Sequence, residues 1–200
     1  MKQRTAVHIG KVRETIEKVD HILGRQKYSE DLRTVAVFGL VTAVMQHCRS
    51  IVDLMTSGAV RSAGALTRAT VEATYCGLWV NSCADADLLK KAKSEERLPL
   101  SLAVIIKTVD GAYNTNSFFE RVRKQIALLY RYNRSGVLQL GRWSLGLTGN
   151  LENDEHEMCD VMSLALLCVL LLAADFLAKR RHVAESKAVQ ALGEVYLTRS

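Results

Sequence analysis

Apolar residues recur along this chain with a helical period, and the long stretches that carry the period are broken by short polar links. Val12, Ile16, Val19 and Leu23 fall three or four apart and predict a first helix over about Thr5–Leu23, with Gly24 suited to cap its C-terminal end. Ser29 stands as the N-cap of a second helix, followed by Glu30 and Asp31 and running to about Thr56. Its polar stripe is Gln46, Arg49, Ser50 and Asp53. Ser57-Gly58 breaks the pattern, and a third helix spans about Ala59–Ser82; so short a link makes helices two and three antiparallel neighbours. One face of the third helix carries Ala63, Leu66, Thr70, Ala73, Gly77 and Val80, small enough for a partner helix to come close. The opposite face carries Arg61, Ala65, Arg68, Glu72, Tyr75 and Trp79.

Beyond Ser82 the signal weakens. A short helix is expected over Asp85–Lys93, then a loop through Pro99, an apolar helix over Ser101–Val109, and a loop over Gly111–Asn116. Ser117 opens a helix to about Asn133, Ser135-Gly136 breaks it, and Val137–Trp143 forms a further turn or short helix. After a loop over 144–151, a long helix covers about Asn153–Arg181 and a last one about Ala184–Leu197. The expected fold is an all-α antiparallel bundle of six to seven helices, with residues 1–200 forming a single domain.

Composition supports that reading. Proline occurs once, at Pro99, whereas an all-β chain of this length needs many turn punctuators. Hydrophobic residues at 48% and charged residues at 24% fit a globular domain and not a disordered one. The five cysteines, Cys48, Cys76, Cys83, Cys159 and Cys168, are odd in number, lack C-x-x-C spacing and lie in apolar or helical surroundings, as reduced buried thiols do. The N-terminus has no apolar core of a secretory signal, so a cytoplasmic location is expected. Val161–Ala174 is an apolar run of 14 residues between Asp160 and Asp175. That is shorter than the roughly 20 a spanning helix needs, so it is read as the central helix of the bundle, with no membrane partner.

Charge placement offers the first candidate chemistry. Between Ser117 and Trp143 stand Arg121, Arg123, Lys124, Arg131, Arg134 and Arg142 against Glu120 alone, so this segment holds +5 of the chain's formal +6. Tyr130, Tyr132 and Trp143 are interleaved with them. Arginines among aromatics suit phosphates and unstacked bases, which makes RNA a candidate partner. The competing reading is a solvated helix face whose arginines pair with carboxylates elsewhere. Arg68 and Glu72, four apart beside Tyr75 and Trp79, form a second constellation. It is either a polar pair held in a pocket, able to grip an anion, or a structural ion pair. Glu152, His156 and Asp160 also recur every four residues, as metal ligands can. Acids in the first turns of a helix are favourable without any metal, and no metal or cofactor is expected. Gly-rich phosphate loops, G-x-S-x-G and kinase motifs are absent from the sequence, which argues against Rossmann and P-loop enzymes.

The run from Ser50 to Val80, with its small-residue helix and its Arg68-x-x-x-Glu72 pair, resembles a group of uncharacterised bacterial helical proteins. That group carries a second motif, approximately Tyr-x-His-x-Gly followed by a Gln and an aromatic. Here it reads Tyr132-Asn133-Arg134-Ser135-Gly136, then Gln139 and Trp143. More loosely, the group is similar to the HEPN superfamily, which includes ribonuclease toxins and phage-defence proteins that dimerise and place an Arg-x(4–6)-His motif at the shared cleft. The resemblance implies a homodimer acting in a defence or toxin–antitoxin system. It implies a catalytic cluster of Arg68, Glu72, Tyr132 and Arg134, and RNA or anion contacts from Arg121, Arg123, Lys124, Arg131, Gln139, Arg142 and Trp143. One departure matters: Arg134 stands where the family has histidine. Histidine can be neutral near pH 7, but arginine does not release its proton in a protein. An atypical or disabled ribonuclease, with Glu72 or Tyr132 as base, therefore stands beside a non-catalytic module that binds a partner protein or a ligand.

Overall fold

A computed structural model of the chain describes residues 3–95, 100–113, 117–134 and 151–197. These residues form eight helices: α1 (Gln3–Gly24), α2 (Leu32–Thr56), α3 (Val60–Ser82), α4 (Ala86–Glu95), α5 (Leu102–Ala112), α6 (Ser117–Arg134), α7 (Leu151–Lys179) and α8 (Val183–Leu197). There is no strand among them, so the chain is all-α. The two short segments after α3 are both helical, as expected, and the helices among the described residues number eight where six to seven were expected. Residues 137–143, read from sequence as a turn or short helix, lie outside the described residues, as do 144–150 of the loop read over 144–151, whose last residue, Leu151, already belongs to α7.

Helix α7 organises the packing. From Val161 to Leu177 every residue except Ser163 is buried. An isolated helix with apolar residues on all sides would expose a large oily surface, so neighbours must surround it. α1, α2, α3, α6 and α8 all pack on it, and one continuous apolar cluster draws on all eight helices. α2 and α3 pair most extensively, as their short link requires. Gly58 turns that link in the left-handed region, at φ 81°, where a Cβ would be strained. α1 lays Ile9, Val12, Ile16, Val19 and Leu23 into the core and is fastened to α2 outside it by Arg13–Asp53 (2.8 Å) and Arg49–Asp20 (2.6 Å).

The start of α2 differs from the sequence expectation. Asp31, not Ser29, is the N-cap: its carboxylate accepts from the Thr34 backbone N–H (3.0 Å) and from the Thr34 hydroxyl (2.7 Å). Those bonds hold the Asp31 carboxyl down at about 2. The capping geometry needs an acceptor three residues before the N–H it serves, and only Asp31 stands there.

The long apolar helix needs a correction as well. α7 is 29 residues long, and its Met158–Lys179 portion is long and apolar enough to cross a membrane, as is α2. The most apolar stretch of Met158–Lys179 is 89% buried among the other helices, whereas that of α2 is 39% buried. α7 is thus satisfied within the bundle, and α2 keeps one side uncovered.

The close approach expected on the small-residue face of α3 is present. A Cβ built on Gly77 would lie 2.7 Å from Leu172 Cδ1 of α7, in a fully packed core. Replacing Gly77 with valine should therefore make the buried Leu172 side chain repack or move the two helices apart. Gly77→Val is expected to destabilise the fold by about 1–3 kcal/mol, read as a drop in the chemical-denaturation midpoint with an unchanged slope. No loss of stability would mean that α7 yields at this contact.

Candidate functional site

Arg68 and Glu72 meet as their spacing predicts, with Arg68 Nε donating to Glu72 Oε1 at 2.7 Å. The pair lies at the surface, with the Arg68 side chain 74% exposed. Tyr75 and Trp79 do not wall it in. Both are turned into the core, because the stripe that begins in solvent at Arg68 passes under α5 in the second half of α3. The pocket envisaged for this pair is not formed by these four side chains.

The basic face of α6 is neutralised where it is described. Arg121 makes a two-pronged pair with Glu194 of α8, Nη1 donating to Oε2 at 2.8 Å and Nη2 to Oε1. Arg123 Nη1 stands 2.5 Å from Asp110 Oδ1 of α5, and Lys124 Nζ is 2.7 Å from Glu120. Two of these carboxylates come from other helices, so the positive surplus of the segment is offset in space and not in sequence. Arg131, Tyr132 and Arg134 sit on the last turn of α6, and their side chains lie outside the described residues. Gln139, Arg142 and Trp143 lie outside them altogether.

His156 and Asp160 are on α7, whose side chains at 151–154, Glu152 included, are outside the described residues. The His156 Nε2 is engaged with Arg4 Nη1 at 2.8 Å, and the neighbouring Glu155 accepts from the Thr5 hydroxyl at 2.9 Å. These contacts join the first turns of α1 and α7. Among the described residues no three His, Cys, Asp or Glu side chains converge to hold a metal ion.

The most concentrated polar arrangement is one that the sequence reading passed over. Asp175, read only as the acid that closes the apolar run, is buried near the end of α7. Its Oδ2 accepts from Asn81 Nδ2 of α3 at 2.6 Å and from the Tyr113 hydroxyl, just past α5, at 2.8 Å. Tyr113 also bonds the Ser82 hydroxyl, and Arg180 donates to Asn81 Oδ1. Arg180 lies over the Phe176 ring at 4.3 Å, and Arg33 of α2 closes the end of α3 by donating to the carbonyls of Val80 (2.5 Å) and Ala84 (2.6 Å). Tyr113 stacks on Phe119 of α6 with centroids 3.9 Å apart. Side chains from α2, α3, α7 and the end of α5 thus meet at one end of the bundle.

Burial dominates the electrostatics of this cluster. It pushes the Asp175 carboxyl above the usual carboxylate range, against the opposing pull of the Asn81 and Tyr113 hydrogen bonds and of the Lys179 and Arg180 charges. It raises the Tyr113 hydroxyl and the Cys83 thiol, in each case helped by the Asp175 charge. It lowers Arg180. The cluster can hold a proton on Asp175 at a pH where a solvated carboxyl has lost it. Ser82, Cys83, Arg33 and Arg180 are its half-buried members. The sequence signal that could have found it is a single Asp within the apolar stretch from Val161 to Leu177. Such an acid is buried by its position and must have donors nearby.

Comparisons with protein-family models, with curated proteins and with solved structures find no match for this chain.

The raised Asp175 carboxyl fixes the sign of a pH effect. The folded state keeps this proton more tightly than the unfolded chain, so Asp175 takes stability away as pH rises from the unfolded carboxyl value of about 3.9 through its higher folded value. Asp175→Asn retains an oxygen acceptor and removes the titration. The thermal midpoint of the wild type relative to Asp175→Asn is expected to fall as pH rises across that window and then level off. A difference that stays flat with pH would show that Asp175 titrates as it does in the unfolded chain.

Proposed function

We propose that this chain, as one antiparallel helical domain, works by association and not by catalysis: it is an interaction module that presents the uncovered side of α2. The observation that carries this reading is the exposure of Leu32 (38%) and Val35 (57%) on one side of α2, beside Phe38 (38%), whose ring also rests against Tyr28 and Phe176. From Leu32 to Gln46 the only charged residue is Arg33, and its guanidinium is turned away to the end of α3. Apolar surface gathered on one charge-free helix face is what partner-binding surfaces look like. The surroundings agree: Arg68–Glu72, Arg121–Glu194 and Lys124–Glu120 are each closed by a carboxylate, and Arg134 is no general base.

If the α2 face serves a partner and not the fold, charging it leaves the chain intact. Val35→Asp is expected to retain wild-type helicity by circular dichroism and to shift the thermal midpoint by no more than a few degrees, the scale of an ordinary surface change. A loss of stability on the scale of a core substitution would assign the face to folding and sink the reading.

A second reading, HEPN-like RNA binding in a defence or toxin–antitoxin setting, rests on the surplus of basic residues between Ser117 and Trp143. On this reading the chain binds a short RNA pool, and affinity falls steeply as salt is raised, because phosphate contacts release counterions. Replacing Arg131, Arg134 and Arg142 with alanine should flatten that salt slope. The wild type is expected to leave the RNA uncleaved, and cleavage gained by Arg134→His would point to a disabled nuclease. Absence of binding at low salt would remove RNA from consideration.

A further inference from the structure

The uncovered side of α2 continues past the start of the helix onto the two links at that end of the bundle. Tyr28, between α1 and α2, sets its ring 5.4 Å from Phe38 and 5.7 Å from His182, between α7 and α8. The apolar side chains left in solvent there are Leu32 and Val35 of α2, with Phe38 beside them, and Val183 at the start of α8 (55% exposed). Around them stand four exposed cations, Arg25 and Lys27 at one link and Lys179 and Arg181 at the other. Among the described residues none of the four is paired with a carboxylate, Arg25 reaching only His21 at 3.3 Å. Elsewhere the rule is the reverse: Arg13, Arg49, Arg68, Arg121, Arg123 and Lys124 each have a carboxylate within 2.8 Å. Two exposed acids, Glu30 and Asp31, stand beside the first pair of cations, and the Asp31 carboxylate is occupied by the Thr34 cap. Arg181 ends α7 at φ 65°, its N–H on the Ala178 carbonyl (3.1 Å) and the N–H of His182 on the Leu177 carbonyl (3.0 Å). Glycine is usual at such a turn, so this chain keeps a cation there at a cost in backbone energy.

We infer that this end of the bundle docks on an anionic membrane surface, with Leu32, Val35 and Val183 entering the headgroup layer and Arg25, Lys27, Lys179 and Arg181 set against lipid phosphates. Aliphatic side chains bordered by unpaired cations suit that surface from both sides: the apolar groups leave water while the cations meet negative headgroups. The contact lies on the membrane and does not span it. The expectation of no membrane partner rests on spanning length, which a surface contact does not need. A partner helix fits less well, because Leu32, Val35 and Gly39 follow the ridge of a single helix, and a docking helix needs a groove. RNA also fits less well. The rings at this end, Tyr28 and Phe38, pack on each other and on Phe176, so neither is free to stack on a base.

This inference rests on the reading of α2 as an interaction face, and its test separates the two. Full-length protein is sedimented with vesicles of phosphatidylcholine alone and of phosphatidylcholine with phosphatidylserine. Beside it run Val35→Asp, Glu30→Lys, the double variant Lys27→Glu/Arg181→Glu, and Lys11→Glu/Lys107→Glu, a control of equal charge change at exposed lysines of α1 and α5. The wild type is expected to sediment with the anionic vesicles and not with the neutral ones, and less so as salt is raised. Lys27→Glu/Arg181→Glu is expected to bind at least about tenfold more weakly and Glu30→Lys about tenfold more tightly, since each changes the charge facing the headgroups. Val35→Asp is expected to lose at least about tenfold, and the control to bind as the wild type does. A wild type that ignores anionic vesicles at low salt overturns the inference, while a folded, stable Val35→Asp leaves the interaction reading standing. Equal losses in the control and in Lys27→Glu/Arg181→Glu would mean that net charge alone draws the chain to lipid, and overturn it too. Unfolding of Val35→Asp fails the interaction reading and not the lipid contact, which the charge variants test without touching the core. Binding of a short RNA pool in place of vesicles, lost in Lys27→Glu/Arg181→Glu and kept in Val35→Asp, assigns the cations to RNA and overturns the inference.

Discussion

Water must be kept from every side of α7, and most of the fold follows from that demand. Between Val161 and Leu177 the helix offers no polar face on which to rest at a surface, with Ser163 its only part-exposed position. Five other helices pack around it to satisfy it. Each of those helices needs only one apolar face, which is why α1 can afford a charged exterior and why the ion pairs gather on the outside. The exposed pairs contribute little singly, typically well under 1 kcal/mol. Their role is to set which helix faces outward and how neighbours align, as Arg13–Asp53 and Arg49–Asp20 do between α1 and α2.

Against this background α2 is an exception in kind. Its inner side belongs to the core through Val37, Val41, Val44, Cys48, Ile51 and Val52. Its outer side is nearly as apolar for half its length, and the bundle does not cover it. A helix apolar on both sides, in a place where only one side is used for folding, has a second surface to account for. The charged side chains on α3 and α6 are the reverse case. They advertise binding in the sequence, yet in space those with described side chains have carboxylate partners.

The fold was largely legible in the sequence because helical periodicity is local. The positions of Val12, Ile16, Val19 and Leu23 sufficed to orient α1, and the Ser57-Gly58 break placed α2 beside α3. The start of α2 was read two residues early, since Ser29 and Asp31 are both good caps and only the Thr34 bond decides between them. The candidate site was much less legible. The i, i+4 spacing of Arg68 and Glu72 foretold their pairing, but not that Tyr75 and Trp79 would turn inward, which depends on where α5 lands. The partners of Arg121 and Arg123 are contributed by α8 and α5, and no local pattern announces them. Asp175 was visible as a residue and not as a junction, because Asn81 and Tyr113 reach it from 94 and 62 positions away.

The one carboxylate between Val161 and Lys179 of α7, that of Asp175, has a consequence for how the fold selects itself. A cylinder that is oily all round could spin about its axis, or slip by a turn, and bury nearly the same area each time. The apolar core therefore supplies cohesion with little sense of direction. Asp175 removes that degeneracy: in any other rotation or register it would face hydrocarbon with no donors, while Asn81 and Tyr113 lost their acceptor. One acidic side chain, itself costly to bury, thus works as the key that allows α7 to sit in its surroundings in a single way.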